Sequence, residues 1–151
     1  MPKIVSPVHS GLKTLMDGAL LIETLERVAE LRGDPAELVY THLFEAYPDY
    51  EALFVMDQDG GVRGTMLSAC FDCIIGLAEK STMPLLILEA AQLQHDAYDL
   101  QGEDLSSMFT AIRDAFRDVL SNEWSQRHEE TWHEALLALQ EISRKAANQP
   151  L

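Results

Sequence analysis

A chain of 151 residues with 47% hydrophobic side chains carries enough apolar material for one compact core and suits a single domain. Its 25 acidic against 11 basic residues leave a formal net charge of -14, a solvated surface that repels a phosphate backbone and excludes nucleic acid as a partner. The longest apolar runs, Pro84 to Leu88 and Cys73 to Leu77, fall far short of the roughly 20 residues a bilayer span needs, and Met1 to Thr14 shows no secretory signal, so cytoplasmic residence with no membrane partner is expected.

Apolar residues recur at helical spacing almost everywhere, which predicts an all-α fold with no repeat or internal linker. A first helix is expected over Met16 to Leu31, with Leu21, Leu25 and Val28 on one face and a stop at Arg32-Gly33. Asp34-Pro35-Ala36-Glu37 predicts the next start: Asp34 accepts from free backbone N–H groups, Pro35 fits the first turn and Glu37 completes a capping box. That helix carries Tyr40, Leu43 and Phe44 and ends near Tyr47, because Pro48 disfavours helical geometry in the residue before it. Pro48 to Gly61, with Tyr50, Leu53, Phe54 and the Asp59-Gly60-Gly61 breaker, reads as turns and loop. Arg63 to Glu79 forms a helix striped by Met66, Leu67, Cys70, Phe71, Ile74 and Leu77. Pro84 opens a short helix on which Leu88, Ala91 and His95 fall at i, i+3 and i+7, facing inward. Two more begin near Asp104 and Ser125. The first carries Leu105, Met108, Phe109, Ile112, Phe116 and Leu120; the second carries Trp132, Leu136, Leu139 and Ile142. Residues 1–15 read as an N-terminal extension and 144–151 as a frayed tail.

The spacing Cys70-Phe71-Asp72-Cys73 raises redox chemistry or covalent haem attachment, but Ile74 stands where attachment needs histidine, and the flanks are helix interior. Buried, reduced thiols acting as small hydrophobes are expected. His95 on an apolar face is a hydrogen-bonded core histidine or a ligand, and spacing does not choose between them. His9, His42, His128 and His133 form no helical i, i+4 pair and no H-E-x-x-H pattern, so a closed zinc site has little support.

The ordered series Tyr40 with Leu43-Phe44, Tyr47-Pro48, Leu53-Phe54, the Met66-Leu67 helix, His95 to Leu100, then Trp124 and Trp132, resembles the bacterial single-domain globins. It is also similar to the globin part of flavohaemoglobins and of globin-coupled sensors, and spans Met16 to Ile142. The resemblance implies a globin fold over 16–143, a three-over-three helical sandwich around haem b. It implies His95 as proximal iron ligand, its other ring nitrogen donating to a carbonyl one turn earlier, that of Ala91. Leu88, Ala91 and Leu100 would line the proximal side. Tyr40 would donate a hydrogen bond to O₂, worth roughly 1–3 kcal/mol, and far less to CO; its other reading is a core ring with its hydroxyl at the surface. Phe54 would pack on the haem face and Leu67 over the distal iron face. Arg63 would meet a haem propionate, an anionic ligand or solvent, with propionate or solvent favoured.

Leu105 and Gln149 stand where flavohaemoglobins have a proximal tyrosine and a late glutamate, so a strongly electron-donating proximal histidine is not implied. The expected function is reversible binding of O₂, with NO and CO as further ligands. The alternatives are an NO dioxygenase served by an external reductase, or a haem-free globin-like adaptor. Oligomeric state is left open.

Overall fold

The computed structural model describes residues 16–97 and 104–148, with the side chains of 94–97 and 104–105 outside that description. The expected N-terminal extension therefore lies outside the described residues. Among them every regular element is helical and no strand occurs, so the protein is all-α.

Helix α1 spans Gly18–Arg32. Asp17 caps it, its Oδ1 accepting from the Leu20 N–H at 3.2 Å, and Leu21, Thr24 and Val28 are buried. It stops where the sequence predicts: Gly33 takes φ 81°, the left-handed region that favours glycine, and its N–H donates to the Ala29 carbonyl.

Helix α2, Ala36–Ala46, starts one position later than the Asp34–Glu37 pattern implies. Pro35 occupies the cap position and supplies no side-chain bond, while Asp34 Oδ1 accepts from the Ala36 N–H at 2.9 Å. The reach of a short aspartate side chain to the N–H two residues on sets this local turn. The expected loop after Pro48 is instead a 3₁₀ helix, Pro48–Phe54. At its start the Tyr50 N–H donates to the carbonyl of the cap residue Tyr47 at 2.9 Å, and the two rings stack at 4.7 Å and 11°.

Helix α3 covers Gly61–Ala78 and α4 covers Met83–Ala97, longer than the short helix anticipated. Ser81 Oγ accepts from the Met83 N–H at its start. By length and a mean hydropathy of 1.3, α3 could cross a membrane, although no single apolar run suggests it. In this fold it packs against every other α-helix.

Helix α5, Asp104–Leu120, buries Met108, Phe109, Ile112, Phe116 and Leu120 as the stripe predicts. Helix α6, Gln126–Ala147, begins at Ser125, where a reciprocal cap closes: Ser125 Oγ accepts from the His128 N–H, and His128 Nδ1 accepts from the Ser125 N–H at 3.0 Å. The expected frayed tail from Arg144 starts too early. Ser143 and Ala146 are buried, and their packing carries the helix through Ala147.

Packing joins α1 to α3, α3 to α4, α2 to α5, α5 to α6 and α4 to α6, with α1 also lying on α5 and α6. At the α1–α3 contact the backbones approach so closely that a Cβ on Gly18 would lie 2.5 Å from the Ala78 carbonyl oxygen, so a glycine is required there. The core centres on Trp132, Phe109, Phe116, Leu21 and Ile74.

Candidate functional site

Tyr40 comes from the middle of α2, where the helix turns its ring inward beside Val39 and Leu43. The ring is 4% exposed and meets Phe44 at 5.7 Å and Phe54 at 5.5 Å, while Phe44 and Phe54 lie 5.7 Å apart. Two phenylalanine rings, one from α2 and one from the end of the 3₁₀ helix, thus flank one phenol. A core ring with its hydroxyl at the surface would leave that proton to solvent. The proton goes instead to the backbone carbonyl of Arg63, at 2.9 Å. Burial holds the phenol well above its ordinary pKa, with smaller contributions from Cys70 and Asp57 that Arg63 opposes.

The Arg63 side chain, about a third of it open to solvent, pairs with Asp57. Its Nε donates to Asp57 Oδ2 at 3.0 Å and a terminal nitrogen donates to the Asp57 carbonyl at 2.9 Å. Asp57 in turn caps α3, its Oδ1 accepting from the Val62 N–H at 2.9 Å and its Oδ2 from the Arg63 N–H at 3.0 Å. The Asp57 N–H donates to the Phe54 carbonyl. One aspartate thus ties the end of the 3₁₀ helix to the first turn of α3.

Sequence reasoning missed Asp57 because its partners are backbone groups five and six residues on, separated by two glycines, and no cap pattern spans that gap. The one available signal was the pair Asp57 and Asp59 shortly before an arginine on a helix start, and it does not say which of the two meets Arg63.

The bonds to Val62, then burial in opposition, then those to Arg63 hold the Asp57 carboxyl below its usual value. A lowered carboxylate pKa stabilises the fold at pH above the unfolded value of about 3.9, and that contribution is lost as pH falls through the lower folded value. Urea midpoints of wild type and Asp57→Asn should therefore differ at pH 7 and converge as pH falls through the lowered folded value. A gap unchanged across that range would show that the charge of Asp57 does not matter.

Leu67 lies one turn beyond Arg63 on α3 and is buried. On α4, Leu88 is buried and Ala91 half-buried. The register places His95 on the same helical face, seven residues after Leu88; its side chain, the proposed bond to Ala91, and Leu100 lie outside the described residues. Tyr40, Phe54 and Arg63 are brought together directly. Leu88, Ala91 and His95 belong to a second set on α4, and α3 packs against both α2 and α4.

The remaining candidates are accounted for locally. Cys70 and Cys73 are free thiols, half-buried and buried. Burial first, then the neighbouring Asp72, pushes Cys73 up to about 12, and burial raises Cys70 further, so both stay protonated as expected of hydrophobic fillers. His42 Nε2 pairs with Asp118 Oδ2 at 2.7 Å and His128 caps α6. Among the described residues no group of three or more His, Cys, Asp and Glu side chains could hold a bare metal ion.

A cleft of about 420 Å³ beside Glu23, Arg27, Glu123 and His128, and an apolar one of about 190 Å³ beside Val28, Phe71 and Phe116, include none of the predicted site residues. No protein-family model matches the chain, and no curated protein or solved structure matches it.

Proposed function

We infer that this protein is a haem-binding globin that holds a diatomic gas beside Tyr40. The observation that carries the reading is the position of α3, packed between the Tyr40 aromatic cluster and the helix that bears His95. The helix pairing supports it further. α1, α3 and α4 run side by side, α2, α5 and α6 do likewise, and the two sets meet through α1 on α5 and α4 on α6, as a three-over-three sandwich requires.

The residues present fit haem b by their chemistry. By register His95 falls on the helical face of Leu88 and Ala91, and Phe54, Phe44 and Leu67 offer apolar and aromatic surface near a buried phenol. His95 would hold the group, which supplies the iron where O₂, NO or CO binds. Leu67, Phe54 and Leu88 would exclude water. Tyr40 would hold its proton on the phenolic oxygen and direct it at the polar end of the ligand, favouring O₂ over the less polar CO.

One observation favours a second reading. The Tyr40 hydroxyl is already satisfied by Arg63, as it would be in a haem-free adaptor whose tyrosine only packs. An absorption spectrum of protein supplied with haem, reduced and exposed to CO, separates the two. A Soret band that shifts with CO is expected; no uptake at equimolar haem would remove the globin reading and leave the adaptor.

A further inference from the structure

A phenol has one proton to donate, and that of Tyr40 is spent on the Arg63 carbonyl. With the residue only 4% exposed, little solvent is at hand to take over if the bond is broken. The carbonyl itself is not free to swing away. It belongs to the first turn of α3, where Asp57 accepts from the N–H groups of both Val62 and Arg63 and grips the Arg63 guanidinium. The same aspartate donates its own N–H to Phe54, whose ring packs edge-on against Tyr40 at 71°. One residue, 8% exposed at the junction of the 3₁₀ helix and α3, thus fixes the acceptor through its carboxylate and holds the donor's neighbour Phe54 through its backbone N–H.

We propose, resting on the globin reading, that Asp57 is a positioning residue for the distal hydrogen bond. By fixing the Arg63 carbonyl as a competing acceptor, it makes a gas beside Tyr40 gain the hydroxyl only by displacing it from that carbonyl. The ligand then receives the difference between two hydrogen bonds rather than a whole one. A ligand with partial negative charge accepts more strongly than a neutral carbonyl and wins the proton. A nearly apolar one leaves it where it is. Asp57 therefore lowers O₂ affinity while leaving CO untouched, and it does so without touching the ligand.

The test is a double-mutant cycle of Asp57→Ala and Tyr40→Phe in haem-loaded protein, with O₂ and CO dissociation measured by stopped flow. Asp57→Ala should slow O₂ dissociation about three- to tenfold, the equivalent of one neutral hydrogen bond removed from competition. It should change CO dissociation by less than about twofold, and have no effect on O₂ once Tyr40 is phenylalanine. Asp57→Asn, which keeps an oxygen to cap α3, should act in the same direction more weakly and serves if the alanine variant does not fold. Equal changes for both gases, or an effect that persists in the Tyr40→Phe background, would mean a loosened α3 and overturn the proposal.

A haem-free measurement separates this from the globin reading. In labelled protein without haem, the Arg63 carbonyl ¹³C resonance should move on Tyr40→Phe and on Asp57→Ala. If it moves with neither, the proposal fails whatever the protein does with haem. If it moves while haem is not taken up, the globin reading has failed and the ligand competition fails with it.

Discussion

His95→Ala is expected to abolish most haem retention while leaving the helical fold intact. Loss of an outer-shell partner of a metal ligand costs about 10- to 100-fold in affinity, and loss of the ligand itself should exceed that. Alanine is the strongest helix former, so the α4 backbone stays favoured and the far-UV dichroism of the haem-free protein should match wild type. Among the described residues the other three histidines are placed elsewhere. His42 is paired with Asp118, His128 caps α6, and His133 is exposed; alanine at each should leave haem binding unchanged. Transfer of haem to excess apomyoglobin, followed in the Soret band, measures the loss, and external imidazole should partly restore the wild-type spectrum. Retention of a normal ferrous spectrum by His95→Ala, with loss on substituting another histidine, would move the iron ligand to that residue.

The helices whose apolar positions repeat every three to four residues were legible from sequence, because burial on one side leaves that mark. Leu21 and Val28 in α1, and Met108 through Leu120 in α5, are buried as their spacing requires. The 3₁₀ helix was not legible. Pro48 and the breaker at Asp59 to Gly61 read as loop signals, and a seven-residue segment with no fully buried side chain leaves no periodic stripe. The end of α6 was misjudged for a related reason: Ser143 and Ala146 are small residues that look dispensable, yet lie in the core.

At the site, Tyr40 and Phe54 were singled out by their order along the chain, and the fold brings their rings into contact. The partners of Arg63 were not, since a salt bridge to Asp57 across two glycines depends on how the loop folds, which no local pattern encodes. Residues chosen for burial were thus readable, whereas those chosen for a hydrogen bond to backbone needed coordinates.

The largest loss of stability is expected from Trp132→Ala. This indole is fully buried on α6, packed edge-on against Phe116 at 5.6 Å and 85°, with Trp124 at 6.3 Å. Its ring fills the meeting point of α1, α5 and α6, and three helices cannot collapse into the space a missing indole leaves. Removal of a buried Trp side chain costs about 3–5 kcal/mol, the lost transfer energy plus the cavity. At about 2–4 °C per kcal/mol for a chain of this size, the melting temperature should fall by roughly 6–20 °C. Trp132→Phe should be much milder. The indole N–H donates to Thr24 Oγ1 at a long 3.4 Å, and that hydroxyl also donates to the Leu20 carbonyl at 2.6 Å, so losing the N–H strands no buried proton on Thr24. Leu137→Ala on the same helix, 48% exposed, supplies the control and should shift the urea midpoint only slightly. If Trp132→Ala unfolded at the same urea concentration as Leu137→Ala, the indole would not be the core element that its burial and ring contacts make it.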